Sequence, residues 1–282
     1  MSSGGLSRRI GRALLEEVYF RRLRRPRHRG WLPRDDEAIA AGLGVLGVDL
    51  REWHADPDAY HRFVHEAGYA TRYPGYYARN IVEKSFEHFM AAQVLSLGPE
   101  DVYVDIGSEN SPVGDIYGRL FGCRVYHQDI AYEPGLHGDR IGSDAASMPV
   151  RDGMATAMGL HCTLEHFEGR SDSGFFREAG RVLSPGGRLV VVPLYMANRF
   201  ATATDLLISR GNRVAFDPDA VVLAVTRWGN RHGRLYDPEH LVERVMGATS
   251  DLTFTVHRIR GTELLPPGVY ARFALLAERR RR

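Results

Sequence analysis

Residues 101–129, DVYVDIGSENSPVGDIYGRLFGCRVYHQD, spell strand, glycine turn, helix and strand in unbroken order. Val102, Tyr103, Val104 and Ile106 make an apolar run interrupted only by Asp105. Such a run predicts a central parallel strand covered on both faces. Gly107 follows at once, where the chain must turn sharply and let a ligand approach its backbone. Ser111 and Pro112 read as an N-cap and a first helical residue. Val113, Ile116, Tyr117, Leu120 and Phe121 recur at helical spacing, and Gly122 closes the helix. Val125 and Tyr126 open a second strand that ends in Asp129. The whole is one βαβ unit of a nucleotide-binding sheet, with a carboxylate at the carboxyl end of each strand.

The loop after the first strand selects the ligand. A dinucleotide brings a pyrophosphate and calls for three glycines, so that a helix N-terminus can meet the phosphates. Here Glu109 and Ser111 stand where the second and third glycines would be. An acidic loop suits a cation better than a phosphate. S-adenosylmethionine has no phosphate and carries an ammonium beside a sulfonium, and Asp129 is placed to hold ribose hydroxyls.

The surrounding motifs resemble those of the class I S-adenosylmethionine-dependent methyltransferases. Asp105-Ile-Gly107 matches the start of the family's first motif, with Glu109 departing from its second glycine. Asp129 matches the acidic residue after the second strand. Residues 142–145, Gly-Ser-Asp-Ala, followed by Met148, Pro149, Asp152 and Gly153, resemble the third motif, whose Asp meets adenine. Residues 158–166, MGLHCTLEH, resemble the fourth strand and the turn beside the transferred methyl. Residues 175–193 look like the next helix, the Ser184-Pro-Gly-Gly turn and the fifth strand. The resemblance implies an α/β fold: a Rossmann-like methyltransferase sheet, mostly parallel with its last strand antiparallel, carrying an N-terminal helical lid. It also implies S-adenosylmethionine as cofactor, held by Asp105, Gly107, Ser108, Glu109, Asp129, Ile130, Asp144, Ala145 and His161. The helix that usually follows the second strand is expected to be reduced to a turn, because residues 130–143 hold Pro134, Gly135, Gly138 and Gly142.

Composition sets the bounds. The chain has 282 residues, 44% hydrophobic and 26% charged, with a formal net charge of +2. That is an ordinary globular composition, and it does not by itself point to nucleic acid. Lys84 is the only lysine; every other basic residue apart from histidine is arginine. Two cysteines and no recognisable secretory segment suggest reduced thiols and a cytoplasmic protein.

Three further regions flank the core. Residues 1–34 are strongly arginine-rich and are expected as a flexible basic arm, with a short amphipathic stretch at Ile10, Leu14, Leu15, Val18 and Phe20. Contact with an anionic membrane surface is one use of such an arm, and nucleic acid is the weaker alternative. Residues 35–98 read as a helical lid. Residues 35–50 suggest one helix, and Ile81, Val82, Phe86, Phe89, Met90 and Val94 mark a better one, on which Glu83, Lys84 and His88 suggest an ion-paired surface. Residues 99–282 form the core, with a cap insertion at about 195–235 over the ligand crevice. A charged, disordered tail is expected over residues 278–282.

Methyl transfer needs donor and acceptor held in line, water excluded and a lone pair free on the acceptor; a hydroxyl acceptor also needs a base. His161, Glu165 and His166, at the end of the fourth strand, are the catalytic candidates, histidine titrating near working pH. Tyr73, Tyr76, Tyr77 and Trp228 are the substrate-binding candidates, suited to stacking on a ring. No His, Cys or carboxylate pair has the compact spacing of a metal site. The expected activity is methylation of a small molecule, a sugar or a glycan precursor, at oxygen rather than nitrogen. A non-catalytic protein of the same fold, and a nucleic-acid or protein methyltransferase, are the alternatives.

Overall fold

The computed structural model describes residues 3–210 and 213–281. In chain order the elements are α1 (Ser3–Arg22), β1 (Arg27–Arg29), α2 (Asp36–Val45), β2 (Asp49–His54), α3 (Pro57–Ala67), α4 (Tyr69–Arg72), α5 (Ile81–Leu95), β3 (Val102–Ile106), α6 (Val113–Phe121), β4 (Arg124–Asp129), β5 (Gly135–His137), β6 (Arg140–Gly142) and β7 (Ala155–His161). Then come α7 (Ser171–Val182), β8 (Leu183–Val192), β9 (Ala201–Thr204), α8 (Leu206–Ser209), β10 (Val221–Ala224), β11 (Gly233–Leu235), α9 (Pro238–Arg244), β12 (Leu252–Arg260) and β13 (Phe273–Arg279).

Among the described residues, nine strands form the main sheet in the order β2-β12-β13-β8-β7-β3-β4-β6-β5. β3 pairs in parallel with β4 on one side and β7 on the other. β13 is antiparallel to both β12 and β8. The mostly parallel, Rossmann-like sheet is therefore present, with the antiparallel last strand that the resemblance implied. The apolar strands follow from burial on both faces. In β3, Tyr103 enters one layer with Phe86, Phe89 and Tyr117, while Val104 and Ile106 enter the other with Phe175, Phe176 and Leu241. α3, α5 and α6 cover the first face; α2, α7 and α9 cover the second. From β3 the chain lays strands first to one side and later to the other, so a crevice opens where the order reverses, at the carboxyl ends of β3 and β7.

Four expectations are corrected. The segment expected as a mobile arm takes regular structure: α1 is helical and β1 pairs in parallel with β10. Met1 and Ser2 lie outside the described residues. β1, β10, β9 and β11 make a second, four-stranded sheet, so the cap insertion is built partly from the N-terminus; Gly211 and Asn212 of the cap lie outside the described residues. Residues 35–50 are not one helix: α2 ends at Val45 and Asp49 begins β2, which joins the sheet edge in parallel with β12. Glu278 and Arg279 belong to β13 rather than to a loose tail, of which Arg282 lies outside the described residues. The fourth correction concerns α5. Glu83, Lys84, Glu87 and His88 are all buried, not solvated.

Candidate active site

Gly107 shapes the loop after β3. Its φ is +70°, and a Cβ there would lie 2.4 Å from Thr163 Cγ2, so the turn and the close approach of the β7 end both demand glycine. The amides of Gly107 and Ser108 donate to the Gln128 carbonyl at 2.8 and 3.0 Å, and Glu109 N–H donates to Asp129 Oδ2 at 2.9 Å. The loop is thus tied to the end of β4. Asn110 takes the left-handed conformation (φ +61°) next to Glu109, which stands where the family has glycine; asparagine tolerates that conformation better than most residues.

A cavity of about 640 Å³ lies against this loop, lined among others by Tyr73, Tyr76, Tyr77, Asp105, Gly107, Glu109, His161 and Thr163. Asp105 is 2% exposed, and its Oδ2 has no hydrogen-bond partner among the described residues. Burial pushes its carboxyl up to about 8, against a lowering hydrogen bond from Ser111, with Asp129 adding to the rise. An ammonium in the cavity would supply both the missing donor and the missing charge. The donor set therefore fits a cationic amino-acid ligand, and Asp105 and Glu109 would hold it.

The other sequence-proposed contacts are placed differently. Asp129 braces the loop through Glu109 and accepts from Ala131 N–H at 2.9 Å. Ser108 is buried, with its hydroxyl 3.2 Å from that of Tyr132. Ile130 is 76% exposed. Asp144 is exposed and accepts from Ala146 N–H, whereas Ala145 packs in the core with Ile141 and Met148. None of these five lines the 640 Å³ cavity.

A second cavity, of about 870 Å³, adjoins the first. Trp31, Leu32 and Arg34 enter it from the N-terminal segment, Glu165 and His166 from the turn after β7, Tyr195 from beyond β8, and Trp228 from the cap. Tyr77, Lys84 and Cys162 line both cavities. The expected site residues are thus divided. Tyr73, Tyr76 and His161 lie with the cofactor loop, while Glu165, His166 and Trp228 lie in the second cavity, and Tyr77 belongs to both.

The histidines differ in chemistry. His166 Nδ1 is 2.6 Å from the His232 carbonyl. A carbonyl only accepts, so Nδ1 carries the proton of the neutral ring and Nε2 keeps a lone pair. Glu165 Oε1 is 3.6 Å from that Nε2, and burial raises the Glu165 carboxyl above its usual value. His161 instead has Nε2 3.2 Å from the Tyr103 hydroxyl. Burial, then the charge of Lys84, pushes it down to about 3, so it stays neutral and is a poor proton acceptor.

Lys84 was not singled out as a site residue, although its being the only lysine was a visible signal. Its Nζ lies 3.1 and 3.2 Å from the two Glu87 oxygens and 5.0 Å from the Tyr77 ring centre. Burial opposes its charge, but Glu87 and then Cys162 outweigh burial and hold the ammonium protonated. Cys162 is 3.2 Å from Glu87 Oε1 and 3.3 Å from the Tyr195 hydroxyl.

A mostly parallel sheet with a cavity at its switch point and a second cavity alongside offers two adjoining places for ligands. Residues 110–191 match the family model described as the methyltransferase domain. That stretch is a methyltransferase domain, and such a domain implies S-adenosylmethionine as its cofactor. No curated protein matches the sequence. Among solved structures it is similar to the 1,6-didemethyltoxoflavin-N1-methyltransferase of Burkholderia thailandensis, solved with 1,6-didemethyltoxoflavin and S-adenosylhomocysteine: 13% identity, 81% of this chain and 92% of that one, TM-score 0.49. It is also similar to the geranyl diphosphate C-methyltransferase of Streptomyces coelicolor A3(2): 14% identity, 70% of this chain and 79% of that one, TM-score 0.41.

Proposed function

We propose that this methyltransferase methylates a hydroxyl oxygen of a small molecule, a sugar or glycan precursor or another acceptor with a flat face, bound in the 870 Å³ cavity. The observation that carries this reading is the common wall: Tyr77, Lys84 and Cys162 border both the cofactor-side cavity and the second one. A volume of this size falls within the range, roughly 300–1,000 Å³, that small-molecule sites occupy. Trp31 and Trp228 meet edge to face at 5.5 Å and offer ring surface to such an acceptor.

When bound, S-adenosylmethionine supplies a methyl carbon activated by a sulfonium. The chain's own residues do the rest. Asp105 and Glu109 hold the cationic end of the cofactor. Lys84, fixed by Glu87, sets the boundary between the two cavities. His166 Nε2 takes the hydroxyl proton, its tautomer fixed by the His232 carbonyl, and the neighbouring Glu165 carboxyl favours the imidazolium so formed. The presence of this base supports oxygen over nitrogen, because an amine needs only to be unprotonated.

The test is transfer from labelled S-adenosylmethionine to a panel of hydroxylated and aminated small molecules, with the product read by NMR. An O-methyl product is expected. His166→Ala should lower kcat by about a hundredfold or more while S-adenosylhomocysteine still binds in calorimetry. An N-methyl product, or a His166→Ala enzyme with unchanged kcat, overturns the reading.

A further inference from the structure

α1 is docked in an unusual sense. Its charged residues Arg12 and Glu16 turn inward: Arg12 reaches Asp205 at 3.7 Å, and Glu16 accepts from the Thr226 hydroxyl at 3.2 Å. Ile10, Leu14 and Val18, spaced four apart, stack along the outward face with Leu15 beside them. These four side chains are 53%, 63%, 45% and 52% exposed. Tyr19 and Phe20 pack toward Leu23, Leu206 and Val222, so α1 is already docked through another side and its aliphatic stripe is left outward, where a core helix would bury its apolar side. Nothing in the rest of the described chain covers it.

Charge selects the occupant. Between Arg9 and Arg29 there are eight arginines against two glutamates, and Arg9, Arg21, Arg22 and Arg24 are exposed. A second copy would bring the same positive charge against the stripe. A soluble polyanion would satisfy the arginines but leave the apolar side chains in water. A bilayer with anionic headgroups satisfies both, taking the aliphatic stripe into the acyl boundary and the arginines into the headgroup layer. Among the described residues no helix is long and apolar enough to cross a membrane, so attachment of this kind is peripheral.

We propose that the outward face of α1 seats this protein on an anionic phospholipid surface. The proposal does not depend on the acceptor. The full chain should co-sediment with phosphatidylcholine–phosphatidylglycerol vesicles at low salt, and about tenfold less with phosphatidylcholine alone or at high salt. The combined substitution Ile10→Ser, Leu14→Ser and Val18→Ser should weaken sedimentation by about tenfold. S-adenosylhomocysteine binding by the same variant should be unchanged, which shows that the core has folded. Absence of sedimentation by the unaltered chain, or sedimentation indifferent to the triple substitution, overturns the proposal. So does a dimer that the triple substitution dissociates, or binding to polyuridylic acid without binding to vesicles.

Discussion

Two buried ionic clusters stand in the same molecule and are built on opposite plans. Around Asp172 every charge is answered. Arg244 Nε donates to Asp172 Oδ2 at 2.8 Å, the Tyr236 hydroxyl donates to the same oxygen at 2.8 Å, and Arg234 reaches Asp217 at 2.9 Å and the Phe167 carbonyl at 2.7 Å. Arg234 and Asp172 are wholly buried. Around Lys84 the accounts stay open: Glu83 Oε1, His161 Nδ1 and Glu165 Oε2 have no hydrogen-bond partner among the described residues. A saturated network fastens the cap to α7. An unsaturated one beside two cavities is a place where ligands complete the bonding.

Breaking the saturated cluster should have the largest effect. Asp172→Ala leaves Arg234 and Arg244 buried without a central carboxylate, and should cost about 3–5 kcal/mol in denaturant unfolding. A loss below about 1 kcal/mol would erase the distinction between the clusters.

Lys84→Met should cost less stability, about 1–3 kcal/mol, because the cavities allow water to reach the vacated position. It should nevertheless abolish most methyl transfer. Lys84→Arg restores the charge but not the compact shape, so activity should stay low. Full activity in Lys84→Arg would show that the boundary between the cavities tolerates a larger cation.

The smallest effect sharpens the picture of the cofactor side. Asp105 holds its proton up to about pH 8 in the fold, well above the 3.8 of a free aspartate. The folded state therefore carries the extra proton between those values. Its contribution to stability falls as pH rises through that window and levels off above about 8. A bound ammonium favours the carboxylate, so cofactor binding near neutral pH should release about one proton. Calorimetry in buffers of different ionisation enthalpy should show that release in the unaltered enzyme and none in Asp105→Asn.

The βαβ unit was legible because it rests on local signals: an unbroken apolar run, a glycine at a forced turn and helical periodicity; the antiparallel last strand was implied by the family resemblance, and the cap by a long insertion after the fifth strand. β1 and β2 were not. Arg27, His28 and Arg29 are all exposed, and residues 49–54, DLREWH, lie on the sheet edge with their charged positions outward, so neither shows apolar alternation. The site was divided in the same way. Asp105 and Gly107 follow from the motif, and His166 follows from its place after β7. The Lys84 cluster depends on Tyr195 and Tyr270, more than a hundred residues away, closing over the polar side of α5. Periodicity reports one face of a helix; it does not say that distant segments bury the other.

The solitary lysine has a practical consequence. An endoprotease that cleaves after lysine has a single target in this chain, and that target lies inside α5, 5% exposed. Cleavage there requires the middle of the protein to open, so the appearance of two fragments would time an opening event rather than the fraying of a surface loop. Protection from that cut by S-adenosylhomocysteine would then measure, in one band on a gel, how far ligand binding holds the centre shut.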